Sequence, residues 1–72
     1  MINSIMAKIQ LNGKKISIKS NFSLQDLLKK YKLINKKVAI EYNGMIIPKS
    51  KCKKKYLKKN DIIEIVHFIG GG

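Results

Sequence analysis

Two Asn-Gly pairs, Asn12-Gly13 and Asn43-Gly44, restrict what this chain can fold into more than any other feature. A type I′ hairpin turn needs φ > 0 at both central residues, and Asn-Gly meets that demand at low steric cost. Before the first pair, Ala7-Lys8-Ile9-Gln10-Leu11 alternates apolar and polar, the period of a half-buried strand. A two-residue turn then sets Ile9 opposite Ile16 and Ala7 opposite Ile18, so both arms share one apolar face. Around the second pair, the strand Val38-Ala39-Ile40-Glu41-Tyr42 is predicted to turn back with Tyr42 facing Met45 and Ile40 facing Ile47. Pro48 closes that return strand.

Between the hairpins the pattern changes to a helix. Ser23 is placed to accept from the backbone N–H of Asp26 while the Asp26 carboxylate reaches back, a variant of the capping box. Phe22 and Leu27 stand at the two positions of a hydrophobic staple. Leu24, Leu27, Leu28 and Tyr31 follow i, i+3, i+4, i+7 and predict one apolar stripe. Lys29, Lys30 and Lys32 fall in the last turn, where positive charge complements the helix dipole without any ligand.

Residues 50–59 hold six lysines with Cys52, Tyr56 and Leu57, and predict a short irregular helix with a lysine-coated outer face. Asn60-Asp61 turns into a last strand over residues 62–69, with Ile63 and Ile65 facing the core if Glu64 faces water. Such a near-continuous apolar run belongs in the middle of a sheet. The first and last strands would pair in parallel and the helix would cross one face. The order ββαββ, short helix, β is an α+β domain of the β-grasp (ubiquitin-like) arrangement, with a mixed sheet packed on one main helix.

The remaining composition narrows the function classes. Seventy-two residues allow one small core, read as a domain over 7–69, with a short extension over 1–6 and a flexible glycine tail over 70–72. Met6 is an alternative start to Met1. The opening residues are too short and uncharged for a signal peptide, and no apolar run approaches the ~20 residues that span a bilayer. The reading is a protein that works where it is made, in cytoplasm or in organelle stroma. One cysteine and one histidine give neither an internal disulfide nor a zinc framework.

The formal charge of +12 comes from sixteen lysines and no arginine. Arginine is the favoured group for bidentate phosphate and base contacts, so its absence argues against nucleic acid as the partner. Lysine, isoleucine and asparagine are together favoured by AT-rich codons, which accounts for much of the charge without a ligand. An acidic partner face stands as the other account.

The chain finishes Phe68-Ile69-Gly70-Gly71-Gly72, three glycines directly after the apolar strand. Residues without a Cβ let foreign backbone approach closely and can enter a slot that any side chain would block. Fully extended, the last four residues reach roughly 13 Å. His67 has no second ligand or nucleophile near it in sequence and reads as structural. Cys52, on the short helical piece, reads as a small buried hydrophobe.

With these residues in place, a resemblance emerges. The stretch Asn60 to Gly72 resembles the C-terminus of the ThiS family of sulfur carriers in thiamine biosynthesis. Ile9-Gln10-Leu11-Asn12-Gly13-Lys14 and the central residues 38–48 resemble the same family, and the match runs from about Met6 to Gly72. The resemblance implies that the Gly72 carboxylate is adenylated with ATP by an E1-like adenylyltransferase of the ThiF type. Sulfur derived from cysteine, supplied through an enzyme such as a cysteine desulfurase, then replaces AMP and leaves a thiocarboxylate. A ThiG-type thiazole synthase takes that sulfur into the thiazole ring. Gly70 and Gly71 would thread the partner's channel, with Phe68 and Ile69 as docking groups; an ordinary core role at the strand end is the alternative for both.

On this resemblance the protein is a substrate and carrier, not an enzyme, with no catalytic or metal-binding residue and no bound cofactor. Two other uses of the same terminal glycine stay open, as the small subunit of molybdopterin synthase or as a ubiquitin-like modifier. A lysine-rich RNA-binding module is a further alternative. The positive charge departs from the more acidic carriers expected of the family.

Overall fold

The computed structural model describes residues 6–68. Strands β1 (Met6–Leu11) and β2 (Lys14–Lys19) form the first hairpin, followed by helix α1 (Leu24–Lys30), β3 (Val38–Tyr42), β4 (Met45–Ile46), α2 (Lys49–Cys52) and β5 (Ile62–His67). They build one five-stranded sheet in the order β2-β1-β5-β3-β4. The last strand is central, parallel to β1 and antiparallel to β3. The architecture is the expected α+β, β-grasp one.

Both turns have the predicted chemistry. Asn12 and Gly13 have φ of 49° and 85°, and Asn43 and Gly44 have 48° and 86°. The first turn sets Ile9 opposite Ile16 and Ala7 opposite Ile18. The second sets Tyr42 opposite Met45, and the Ile47 N–H donates to the Ile40 carbonyl at 2.9 Å. β1 includes Met6, which pairs with Lys19, so the strand begins one residue earlier than the alternation predicts.

The capping box at α1 is complete: the Ser23 hydroxyl accepts from Asp26 N and the Asp26 carboxylate accepts from Ser23 N, each at 3.0 Å. Leu24, Leu27 and Leu28 are fully buried, and each such side chain contributes roughly 1.5–3 kcal/mol. Phe22 is partly buried against the same core. The stripe ends sooner than expected. Tyr31 is the C-cap and 41% exposed, and Lys32 lies beyond the helix with φ 59°. The Leu33 N–H reaches the Leu28 carbonyl at 2.7 Å and the Lys32 N–H reaches that of Lys29 at 3.1 Å, a Schellman closure that turns the chain before Tyr31 can enter the core.

The core lies between α1 and one face of the sheet, where Ile9, Ile18, Ile40 and Ile63 meet the three leucines. Helix α2 is a single turn, shorter than its lysine-rich region suggests, and it buries Cys52 completely. The Lys49 ammonium donates to the carbonyls of Ile34 and Lys36, tying α2 to the loop after α1. Among the described residues no helix is long and apolar enough to cross a membrane.

Candidate functional site

The candidate site is the end of β5, which the sheet grips differently along its length. At its start, β5 is paired on both edges: Gln10 and Leu11 lie beside Ile62 and Ile63, while Tyr42 lies opposite Ile63. There β1 turns away at Asn12, whose side chain continues the ladder. Its Oδ1 accepts from Ile65 N at 2.7 Å and its Nδ2 donates to Ile65 O at 3.2 Å. A side-chain amide thus stands in for the peptide group that a longer β1 would have supplied.

Asn43 makes the corresponding clasp at the other end. Its Oδ1 accepts from Ile62 N at 2.7 Å, and its Nδ2 donates to Asp61 at 3.1 Å. Both turn asparagines are therefore used twice, once for their backbone and once for their amide. The turn signal is visible in sequence; the second use depends on where β5 lies.

Asp61 anchors the entry to β5. It is buried, and its carboxylate accepts from the Tyr42 hydroxyl at 2.7 Å, from Lys58 N at 2.7 Å and from the Asn43 amide. Burial alone would raise its pKa, but these donors more than offset that and hold the carboxyl below its usual value. The Tyr42 phenol moves the other way, pushed up to about 12 by burial and by the Asp61 hydrogen bond and charge. Sequence reasoning treated Asp61 only as a turn residue. An acid immediately before an apolar strand, with a tyrosine beside a second turn, is the signal that could have marked the pair.

Beyond Ile65, β5 is held by β3: Val66 lies beside Ala39, His67 beside Val38, and Phe68 N donates to Lys37 O at 3.0 Å. Phe68 is 60% exposed and Val66 59%, so neither is ordinary core. Phe68 lines a shallow hollow with Ile34, Val38, Ile47 and Pro48. His67 is exposed, not enclosed as a structural histidine would be, because the core ends at Ile65. Ile69, Gly70, Gly71 and Gly72, the other residues singled out from the sequence, lie outside the described residues.

Cys52 is apart from this end. Its thiol is buried with Sγ 3.6 Å from the Pro48 carbonyl, and burial pushes its pKa up, which makes it a poor nucleophile. No cluster of three or more metal-ligating side chains occurs among the described residues. The geometry provides a central strand held by Asn12, Asn43 and β3, whose described end from Val66 to Phe68 is exposed.

Comparison with known proteins agrees with this geometry. Residues 4–72 match the ThiS family. The chain is 48% identical over 65 residues to the sulfur carrier protein ThiS of Bacillus subtilis, covering 89% of this chain and 98% of that one. It is 37% identical over 65 residues to a thiazole synthase of Magnetococcus marinus, covering 90% of this chain but only 20% of that protein. The crystal structure of the thiamine biosynthesis protein ThiS from Geobacter metallireducens superposes with a TM-score of 0.78 at 25% identity, covering 90% of this chain and 99% of that one.

Proposed function

The chain belongs to the ThiS family and is a sulfur carrier protein of thiamine biosynthesis, and from that premise we propose that the carboxylate of Gly72 is the group that carries the sulfur. The observation that supports this assignment most is the construction of β5. A central strand, clasped by Asn12, Asn43 and β3, runs to an exposed Phe68, and three of the next four residues are glycine. A rigid strand limits where the terminus can reach, and the absence of side chains suits a narrow catalytic channel.

A carboxylate is a poor electrophile. In this reading a partner adenylyltransferase of the E1 type joins the Gly72 carboxylate to the α-phosphorus of ATP and releases pyrophosphate. A persulfide sulfur then attacks the acyl carbon and displaces AMP to give an acyl disulfide. A second thiol cleaves it by forming a disulfide with the donor cysteine, leaving a thiocarboxylate whose soft, nucleophilic sulfur stays on its carrier. A cysteine desulfurase is the source we assign to that sulfur, and thiazole synthase is the acceptor. The Magnetococcus thiazole synthase, which includes a segment resembling this chain, supports that pairing. The protein itself is a substrate in this cycle: it presents an atom and contributes no acid, base or metal.

The test is incubation with ATP, the cognate adenylating enzyme and a sulfur source, followed by intact-mass analysis. The expected product is heavier by the exchange of one oxygen for sulfur, with fragmentation locating the change at Gly72. Sulfur found on Cys52, or a chain that gains none, would overturn the assignment.

A further inference from the structure

The sheet face turned away from α1 is divided by charge. On the β1–β2 side, alternation points Lys8, Lys15 and Lys19 outward. On the β5–β3–β4 side it is apolar, with Ile62 at 44%, Val66 at 59% and Ile46 at 64% exposure. In the middle of that apolar side, Glu41 and Glu64 lie directly opposite each other on adjacent strands, with Ile46 next to Glu41 in the same row. Both glutamates are half-buried.

This pairing is costly to the chain that contains it. Like charges directly across a sheet destabilise it. The chain has only four acidic residues against sixteen lysines. Asp26 closes the capping box and Asp61 accepts from Tyr42, Asn43 and Lys58, so both are occupied by the fold. Glu41 and Glu64 are the other two, and neither has an ion-pair partner among the described residues. A fold selected for its own stability would not set its two remaining carboxylates side by side in an apolar patch.

We propose that this apolar patch is the docking surface for thiazole synthase, and that the synthase seats an arginine side chain between Glu41 and Glu64. The inference rests on the sulfur-carrier reading and adds the place and chemistry of recognition. Charge complementarity identifies the occupant. A planar guanidinium has donors enough to engage two carboxylates at once, and the chain has no arginine of its own to do so. Ile46, Ile62 and Val66 would exclude water around that pair and strengthen it. The lysines on the neighbouring strands face the same partner with the opposite sign, which fixes a single docking orientation and so the direction in which the tail is offered.

The experiment measures affinity of the full chain for purified thiazole synthase from the same genome, beside thermal melts of each variant. The double variant Glu41→Gln with Glu64→Gln is expected to bind about tenfold or more weakly, while melting at the same temperature as the unaltered chain or higher because the repulsion is gone. Ile46→Asp, at an exposed position, is expected to weaken binding with little change in melting. Unchanged affinity in the double variant overturns the proposal, as does a lower melting temperature, which would make the pair part of the fold's own stability. An unaltered chain that forms no complex with the synthase removes the docking surface together with the thiazole-carrier reading beneath it.

Discussion

The Tyr42 hydroxyl donates to the Asp61 carboxylate at 2.7 Å, joining the end of β3 to the residue that leads into β5, and both side chains are buried. This contact locates the central strand at its entry as Asn12 does further along.

Tyr42→Phe leaves the carboxylate one donor short. A buried charged acceptor that loses a partner costs about 1–3 kcal/mol, so a urea melt of the variant is expected to show a loss of that size with an unchanged m-value.

The same pair sets two pH limits. Tyr42 has its pKa raised on folding, so its contribution is complete below the unfolded value near 10 and is lost as pH rises through about 12. Asp61 has its pKa lowered, so its contribution is present above the unfolded value of 3.8 and is lost as pH falls through the lower folded value. The stability difference between the unaltered chain and Tyr42→Phe, followed by denaturation across pH, should narrow at both extremes.

Lys32 holds φ 59° at the position after the α1 C-cap, a conformation that carries a steric cost for any residue with a Cβ. Lys32→Gly is expected to stabilise the domain by about 0.5–1 kcal/mol. A melting temperature that falls would show that the lysine side chain contributes more than its backbone strain removes.

Asn12→Asp keeps the oxygen that accepts from Ile65 N but replaces the donor to Ile65 O with a second acceptor. The expected cost is about 1–3 kcal/mol, with faster hydrogen exchange at the Ile65 amide than at Ile40, which lies opposite it on β3. Equal protection at both amides would show that the side-chain rung is dispensable.

Gly71→Val tests the tail. A branched side chain at a position proposed to thread a partner's channel should lower adenylation on the order of 10²-fold. A thermal melt of the same variant is the control, and an unchanged melt beside lowered adenylation separates a threading effect from a loss of fold. Normal adenylation of this variant would remove the threading role.

Much of this protein follows from local rules that its sequence displays openly. Asn12-Gly13 and Asn43-Gly44 specify two hairpins and their registers, because type I′ turns leave little freedom in which residues face each other. Ser23 and Asp26 specify where α1 starts, and the apolar run of β5 identifies the central strand. The glycines after Phe68 suggest the function through their missing side chains. What only tertiary structure decided are the meetings between segments far apart in the chain. Nothing in a local pattern places Glu41 opposite Glu64, brings Asp61 to Tyr42 or hands Ile65 to the Asn12 amide, since each depends on how β5 slots between β1 and β3. That register is selected by burial of Ile63 and Ile65 against the leucines of α1, a collective packing energy that no single residue carries.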